Sequence, residues 1–359
     1  MAVLVTGGAG FIGTHTCAEL LSYGYDLVVA DDYSNSFPGS LDAVRELAGR
    51  PPSQPIQVRQ LDLRDHGALD RLFADYDIGA VIHFAAKKAI AESLRMPVDY
   101  YDINVAGTTN LLRVMAGHQV TRLVYSSSCS IFGEGHHGAI GEDDPMRPTN
   151  PYSRSKLMTE EILADTCRRY PEFSVVVLRY FNPAGAHPSG RLGEVPRGVP
   201  NNVMPYLMRV ASGQLERLTV YGDDYDTPDG SAVRDYIHVA DLADAHRVAL
   251  GHLDDQPGLQ AFNLGTGTGA SVLELVNTFR DTCGVTVPVT MAGRRPGDVA
   301  TLVADPARID KQWGWRATRD LAAMCRDAWR FQQLNPAGYA ALSVPCMPFL
   351  LCLPQPEWS

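Results

Sequence analysis

Short apolar runs recur along the first half of the chain, and most are separated by segments of helix length. Ala2–Thr6, Leu27–Ala30, Val58–Leu61, Ala80–Phe84, Arg122–Ser126 and Ser174–Arg179 read as strands. Between them the pattern predicts helices over Phe11–Leu21, Gly67–Asp75, Asp102–Gly117 and Tyr152–Arg169. Near-continuous apolar strands are those buried on both faces, and their alternation with helices predicts an α/β fold built on a doubly wound parallel sheet. After Phe181 the character changes: prolines and glycines crowd Pro183–Pro205 and the alternation becomes irregular. This predicts a smaller α+β domain, interleaved with the first because the apolar stretches Ala232–Val239 and Ala261–Leu264 suit a return to the main sheet. The expected division gives the first domain residues 1–180 with returning segments near 232–263. The second takes 181–231 and 264–338, and a tail over 339–359 has no assigned role. Prolines between Ser343 and Pro354 forbid a regular helix in that tail.

Composition narrows the partners. The 359 residues are 45% hydrophobic and 20% charged, as in a soluble globular protein with a sizeable core. The formal charge of −10 argues against nucleic acid or an anionic membrane as partner, although a few local arginines still suffice for an anionic ligand. The seven cysteines (17, 129, 167, 283, 325, 346 and 352) have no metal-like spacing and read as reduced thiols; no metal is expected. No apolar run approaches the roughly 18 residues of a spanning helix. A buried strand is under way by residue 3, so no targeting segment is expected ahead of it and the cytoplasm is the expected compartment.

Chemistry begins at the first strand. Gly7-Gly8-Ala9-Gly10-Phe11-Ile12-Gly13 places three glycines between a strand and a helix, where free N–H groups and the positive dipole end suit a pyrophosphate. Gly7 makes the turn, Gly10 permits close approach and Gly13 lets the helix pack on the sheet. Asp31, about 20 residues on, ends the second strand where a carboxylate accepts hydrogen bonds from an adenosine ribose. An acid there repels a 2′-phosphate, and no arginine occupies Asp32–Ser36, so NAD is favoured over NADP in a Rossmann-like first domain. Asp62 and Leu63 end the third strand, a reasonable place to meet the adenine amino group.

A second constellation is Tyr152-Ser153-Arg154-Ser155-Lys156. With Asn150 as cap and Pro151 at the first helical position, Tyr152 and Lys156 share a helix face. An ammonium beside a phenol favours the phenolate, lowering a pKa of about 10 and making a base for a hydroxyl proton.

Several further blocks occur in order: His83-Phe84-Ala85-Ala86, Ser126-Ser127-Ser128, Asn150-Pro151-Tyr152, Arg179-Tyr180-Phe181-Asn182-Pro183, Pro200-Asn201-Asn202, Val233-Arg234-Asp235-Tyr236-Ile237-His238 and Asn263-Leu264-Gly265-Thr266-Gly267. With the glycine-rich opening they resemble the extended short-chain dehydrogenase/reductase family, and within it the UDP-glucose 4-epimerases, from Ala2 to about Gly338. The resemblance implies an isomerase with tightly bound NAD. Such an enzyme oxidises the sugar C4 hydroxyl to a transient ketone and returns the hydride to the other face, a reaction of galactose metabolism. It implies Tyr152 as base, Lys156 as its electrostatic partner and nicotinamide-ribose contact, and Ser128 as orienting group with Ser130 nearby. Cofactor contacts are implied at Phe11, Ile12, Asp32, Asn35, Ser36, Phe84, Lys88, Asn104 and Tyr180. Nucleotide-sugar contacts are implied at Asn182, Asn201, Asn202, Val203, Thr219, Tyr221, Arg234, Arg295, Asp298 and Leu302. A homodimer packing the helices near Asp102 and Tyr152 is implied too.

Three departures stand out: Cys129 where the family usually has alanine, Phe132 for a common tyrosine, and Lys87 before Lys88, which leaves open which lysine is the contact. A related dehydratase would carry an Asp-Glu pair where Cys129-Ser130 stands. A non-catalytic NAD-bound sensor would have lost Tyr152 or Lys156. A 4-epimerase of a UDP-pentose or UDP-uronic acid is the remaining alternative. A leucine at 302, where a tyrosine restricts family members to hexoses, implies that UDP-GlcNAc and UDP-GalNAc also react.

Overall fold

The computed structural model describes residues 1–49, 56–136, 138–255, 257–295 and 298–339. The proline-containing tail beyond Tyr339 and the Pro296-Gly297 step lie outside the described residues.

Seven parallel strands form the main sheet: β1 (Ala2–Thr6), β2 (Leu27–Asp31), β3 (Gln57–Gln60), β4 (Ile78–His83), β5 (Arg122–Ser128), β6 (Ser174–Tyr180) and, much later, β10 (Gly258–Leu264). Their order is 3-2-1-4-5-6-10, with all pairs parallel. Alternation along each strand feeds two separate cores. Val3, Val5, Val29, Ile82, Val124 and Val176 face one layer, while Leu4, Val28, Val81, Leu123 and Val175 face the other. Helices α1 (Phe11–Ser22) and α2 (Gly39–Ala48) contribute to the first layer, and α3 (His66–Asp75) contributes to the second.

The expected helix over Asp102–Gly117 is more complex. The short helices α4 (Ile90–Arg95) and α5 (Pro97–Tyr101) lead into a π-helical turn, Asp102–Ala106, before α6 (Gly107–Gly117). Such turns are uncommon and concentrate at functional sites. Helix α7 (Pro151–Arg169) starts at Pro151, as the cap reading of Asn150 and Pro151 predicts. Asn150 caps it, its side-chain oxygen accepting from the Ser153 N–H at 2.9 Å, with Pro151 in the first turn.

The remaining elements, most of them building the smaller half, are β7 (Asn182–Ala184), α8 (Val203–Ala211), β8 (Leu218–Tyr221), β9 (Val233–His238), α9 (Val239–Gly251), α10 (Val272–Cys283), α11 (Ala307–Trp313) and α12 (Leu321–Leu334), with β11 (Gly269–Ser271), β12 (Val289–Ala292) and β13 (Thr301–Leu302). Strand β9 does not return to the main sheet. It pairs in parallel with β7 and β13 and antiparallel with β11. The return begins with α9, which packs on α1 and the main sheet, and is completed by β10 beside β6. Apolar character marks both β9 and β10 as buried strands but carries no information about which sheet each joins. Asp235, fully buried on β9, accepts from the Thr266 N–H and hydroxyl (both 2.8 Å), the Gly267 N–H (3.0 Å) and the Ala304 N–H (3.2 Å).

Candidate active site

The carboxyl ends of β1, β4, β5 and β6 lie side by side along one edge of the parallel sheet. Gly7 has φ of +69°, and a Cβ there would lie 2.7 Å from the Ala85 backbone nitrogen; one at Gly13 would lie 2.4 Å from the Gly7 carbonyl oxygen. Both positions therefore require glycine. Helix α1 has no side-chain cap and no acidic residue in its first turn, leaving its N-terminal N–H groups and dipole for an anion. Phe11 and Ile12 open that helix. Asp31 is fixed at the tip of β2: its carboxylate accepts from the Ala9 N–H (2.9 Å), the Tyr33 N–H (2.9 Å) and the Ser36 hydroxyl (2.6 Å). Burial pushes its pKa up, against the pull of those hydrogen bonds. Asp32 accepts from the Ser34 N–H and hydroxyl, and Asn35 is exposed beside it. Asp62 is engaged by the Arg64 guanidinium, which lowers its pKa, while Leu63 is buried and its carbonyl accepts from Asn110 at 2.5 Å.

Asn104 lies in the π-helical turn, and its amide clamps the neighbouring loop. Its oxygen accepts from the Lys87 N–H (2.8 Å), and its nitrogen donates to the Lys87 carbonyl (3.0 Å) and the Ser155 hydroxyl (2.9 Å). The two lysines diverge: Lys87 pairs with Glu92 at 3.2 Å, and Lys88 with Glu194 at 3.0 Å. Phe84 and Tyr180 flank the buried His246 ring, with centroids 4.7 and 6.4 Å away.

The three serines ending β5 divide their work. The Ser126 hydroxyl pairs with His246 Nε2 at 2.9 Å, and that of Ser127 donates to Glu160 at 2.5 Å. Ser128 hydrogen-bonds the Tyr152 phenol and accepts from the Ser130 N–H at 3.2 Å. Lys156, only 3% exposed, donates to the Ser126 carbonyl at 2.8 Å and lies 4.9 Å from the Tyr125 ring centroid. The expected lowering of the Tyr152 pKa is not what these groups produce. Burial dominates and pushes the phenol up to about 12, with the Ser128 hydrogen bond opposing it. Burial likewise brings the Lys156 ammonium down to about 8, against the attraction of Glu160. Glu160 in turn forms a buried ion pair with Arg179 at 2.7 Å. Cys129 is 5% exposed and burial pushes its thiol up to about 12, so it is a wall and not a nucleophile.

On the far side, Asp298 sits between two arginines, 3.5 Å from Arg234 and 4.0 Å from Arg295. The Arg295 guanidinium lies 4.0 Å from the Tyr221 ring centroid. Thr219 and Tyr221 share the less buried face of β8, opposite Leu218 and Val220. Asn201 and Asn202 are exposed at the start of α8, with Val203 its first residue, and Asn202 donates to Glu194 at 3.1 Å. The Ser130 hydroxyl and the Asn182 side-chain oxygen are buried and have no hydrogen-bond partner among the described residues. Leu302, 9% exposed, packs with Cys129, Phe132 and Phe181. Glycine cradle, ribose-facing acid and orphaned polar atoms fit a dinucleotide and a polar ligand meeting at Tyr152. Sequence reasoning did not assign Glu194, Glu160 or His246 to this site. Asp235 stood inside a quoted block, but nothing in its spacing marked it as an anchor.

The model of the NAD dependent epimerase/dehydratase family matches residues 3–265. The UDP-glucose 4-epimerase of Bacillus subtilis (strain 168) is 51% identical over 339 residues, covering 94% of this chain and 99% of its own. Among solved structures, the Bifidobacterium longum UDP-glucose 4-epimerase, in complex with NAD+ and UDP, superposes with a TM-score of 0.90 at 45% identity, covering 94% of this chain and all of its own. The Stenotrophomonas maltophila UDP-glucose-4-epimerase, bound to NAD and formylated UDP-arabinopyranose, gives a TM-score of 0.90 at 43% identity, covering 94% and 99%. On this likeness of sequence and fold, the chain belongs to the NAD-dependent epimerase/dehydratase family and, within it, to the UDP-glucose 4-epimerases.

Proposed function

We propose that the protein interconverts UDP-glucose and UDP-galactose by oxidising and re-reducing the sugar at C4 through a transient 4-keto sugar. The observation that carries this reading is the buried Tyr152 phenol, bonded to Ser128 and one helical turn from Lys156, at the carboxyl end of β5. Bound NAD supplies a hydride acceptor and donor. Tyr152 takes the proton of the sugar hydroxyl and later returns it, so the base is regenerated in each turnover. Ser128 holds that hydroxyl towards the phenol, and Lys156 contributes positive charge that favours the phenolate. Arg234 and Arg295 grip the diphosphate, letting the sugar turn over while the nucleotide stays fixed.

A leucine at 302, which lacks the ring and hydroxyl of a tyrosine, supports turnover of UDP-GlcNAc and UDP-GalNAc as well. Exposed apolar side chains at Leu94, Met96, Val98 and Met158, on and beside α4, α5 and α7, support a homodimer through that face. The test is a coupled assay of purified protein with UDP-galactose and with UDP-GalNAc, without added cofactor. No conversion of UDP-galactose by protein that carries NAD would overturn the proposal, and activity confined to UDP-pentoses or UDP-uronates would replace its substrate. Leu302→Tyr is expected to lose the N-acetyl reaction about tenfold or more while keeping the hexose reaction. Equal loss of both would remove the gate.

A further inference from the structure

Residues 185–202 join β7 to α8 and cross from the smaller half of the protein to the cofactor cleft. Their middle is rooted: Leu192 is fully buried, and the Gly193 N–H donates to the Tyr339 hydroxyl at 2.9 Å. On either side of this root a long arginine reaches the cofactor half. Arg191 pairs with Glu46 on α2 at 2.6 Å. Arg197 donates from Nη2 to the Ser36 carbonyl at 2.9 Å, and its guanidinium lies 4.5 Å from the Phe37 ring centroid. Ser36 is the residue whose hydroxyl fixes Asp31, so Arg197 grips the far end of the loop that presents the ribose-facing carboxylate. Between the arginines, one oxygen of Glu194 accepts from both Lys88 (3.0 Å) and Asn202 (3.1 Å).

We propose that residues 191–197 form a strap over the adenosine end of the cleft, and that Arg197 is the positioning residue that keeps bound NAD from leaving between turnovers. The inference rests on reading this cleft as the NAD site. Departure of the adenosine requires the loop Asp31–Phe37 to open, and opening breaks a charge-assisted hydrogen bond and a cation–π contact together. Retention matters for the proposed chemistry, because a hydride store must stay in place while the ketone turns over.

The test loads wild type, Arg197→Ala and Arg197→Lys with NAD, removes free cofactor by gel filtration and follows the NAD remaining on the protein. Arg197→Ala is expected to release NAD about tenfold faster. Arg197→Lys, which keeps the charge and loses the planar fork, falls between. The urea midpoint of protein without NAD and the turnover per bound NAD are expected to match wild type. Release from Arg197→Ala within twofold of wild type overturns the strap. So does faster release matched by a fall in that urea midpoint, which would mark a general loss of structure. Epimerase activity of freshly loaded protein is read separately, so failure of the catalytic assignment leaves the release result standing.

Discussion

The two halves of this protein are ordered by different means. In the larger half, seven parallel strands of four to seven residues pack by plain alternation between two apolar layers, and the cradle is shaped by backbone and glycine. In the smaller half the strands around β9 are two or three residues long, and one buried carboxylate, Asp235, ties three chain segments together. Hydrophobic burial scales with area and forgives single changes, whereas a buried polar hub concentrates its contribution in one side chain. The first half is therefore expected to tolerate substitution of its supporting groups better than the second, while the chemistry sits at the seam.

The largest expected effect is at that seam. Tyr152→Phe removes a hydroxyl and little else, so NAD retention and the unfolding temperature are expected to stay close to wild type. Turnover of UDP-galactose is expected to fall about 10²–10⁴-fold, the usual weight of general base catalysis. Measured activity within threefold of wild type would take the base away from Tyr152 and leave both halves holding a site with no proton acceptor.

Next comes the hub. Asp235→Ala strips the partner from the N–H groups of Thr266, Gly267 and Ala304 in a fully buried setting. Each unsatisfied donor costs about 1–3 kcal/mol, so a loss of more than about 3 kcal/mol in urea unfolding is expected. Val29→Ala, in the middle of β2, is expected to cost less, about 1–3 kcal/mol. If the two variants cost the same, the proposed contrast between the halves is wrong.

The same contrast explains what was legible from the chain. Strands such as Leu27–Asp31 and Ser174–Tyr180 announce themselves because both faces are apolar, and Gly7, Gly13 and Asp31 stand where a nucleotide needs them. Thr301–Leu302 is too short to show any period, and Val233–His238 looks like a main-sheet strand because burial is the same in either sheet. The π-helical turn at Asp102–Ala106 was invisible, since its extra residue is set by the Asn104 clamp on Lys87 and not by periodicity. Spacing put Tyr152 and Lys156 on one face, but it could not say that burial outweighs their mutual attraction. That balance depends on Tyr125, Ser126 and Glu160, which surround the ammonium only after folding.

The smallest effect sharpens the description of that pair. Below about pH 8 both the Lys156 ammonium and the Tyr152 phenol hold their protons; above it the pair has lost one, and the second leaves only near pH 12. The productive arrangement, phenolate beside ammonium, has the same proton count as phenol beside amine. Its share within the singly deprotonated pair is therefore independent of pH. It follows that kcat/KM of the NAD-loaded enzyme rises with unit slope to a bend below about pH 8 and then stays level. The positive charge of an oxidised nicotinamide moves the limb lower without changing its shape, since it disfavours the doubly protonated pair most. The check is a profile of NAD-loaded enzyme from about pH 6 to about pH 10. A fall above pH 8 would mean that the ammonium alone sets the rate, and that Tyr152 and Lys156 do not share a proton.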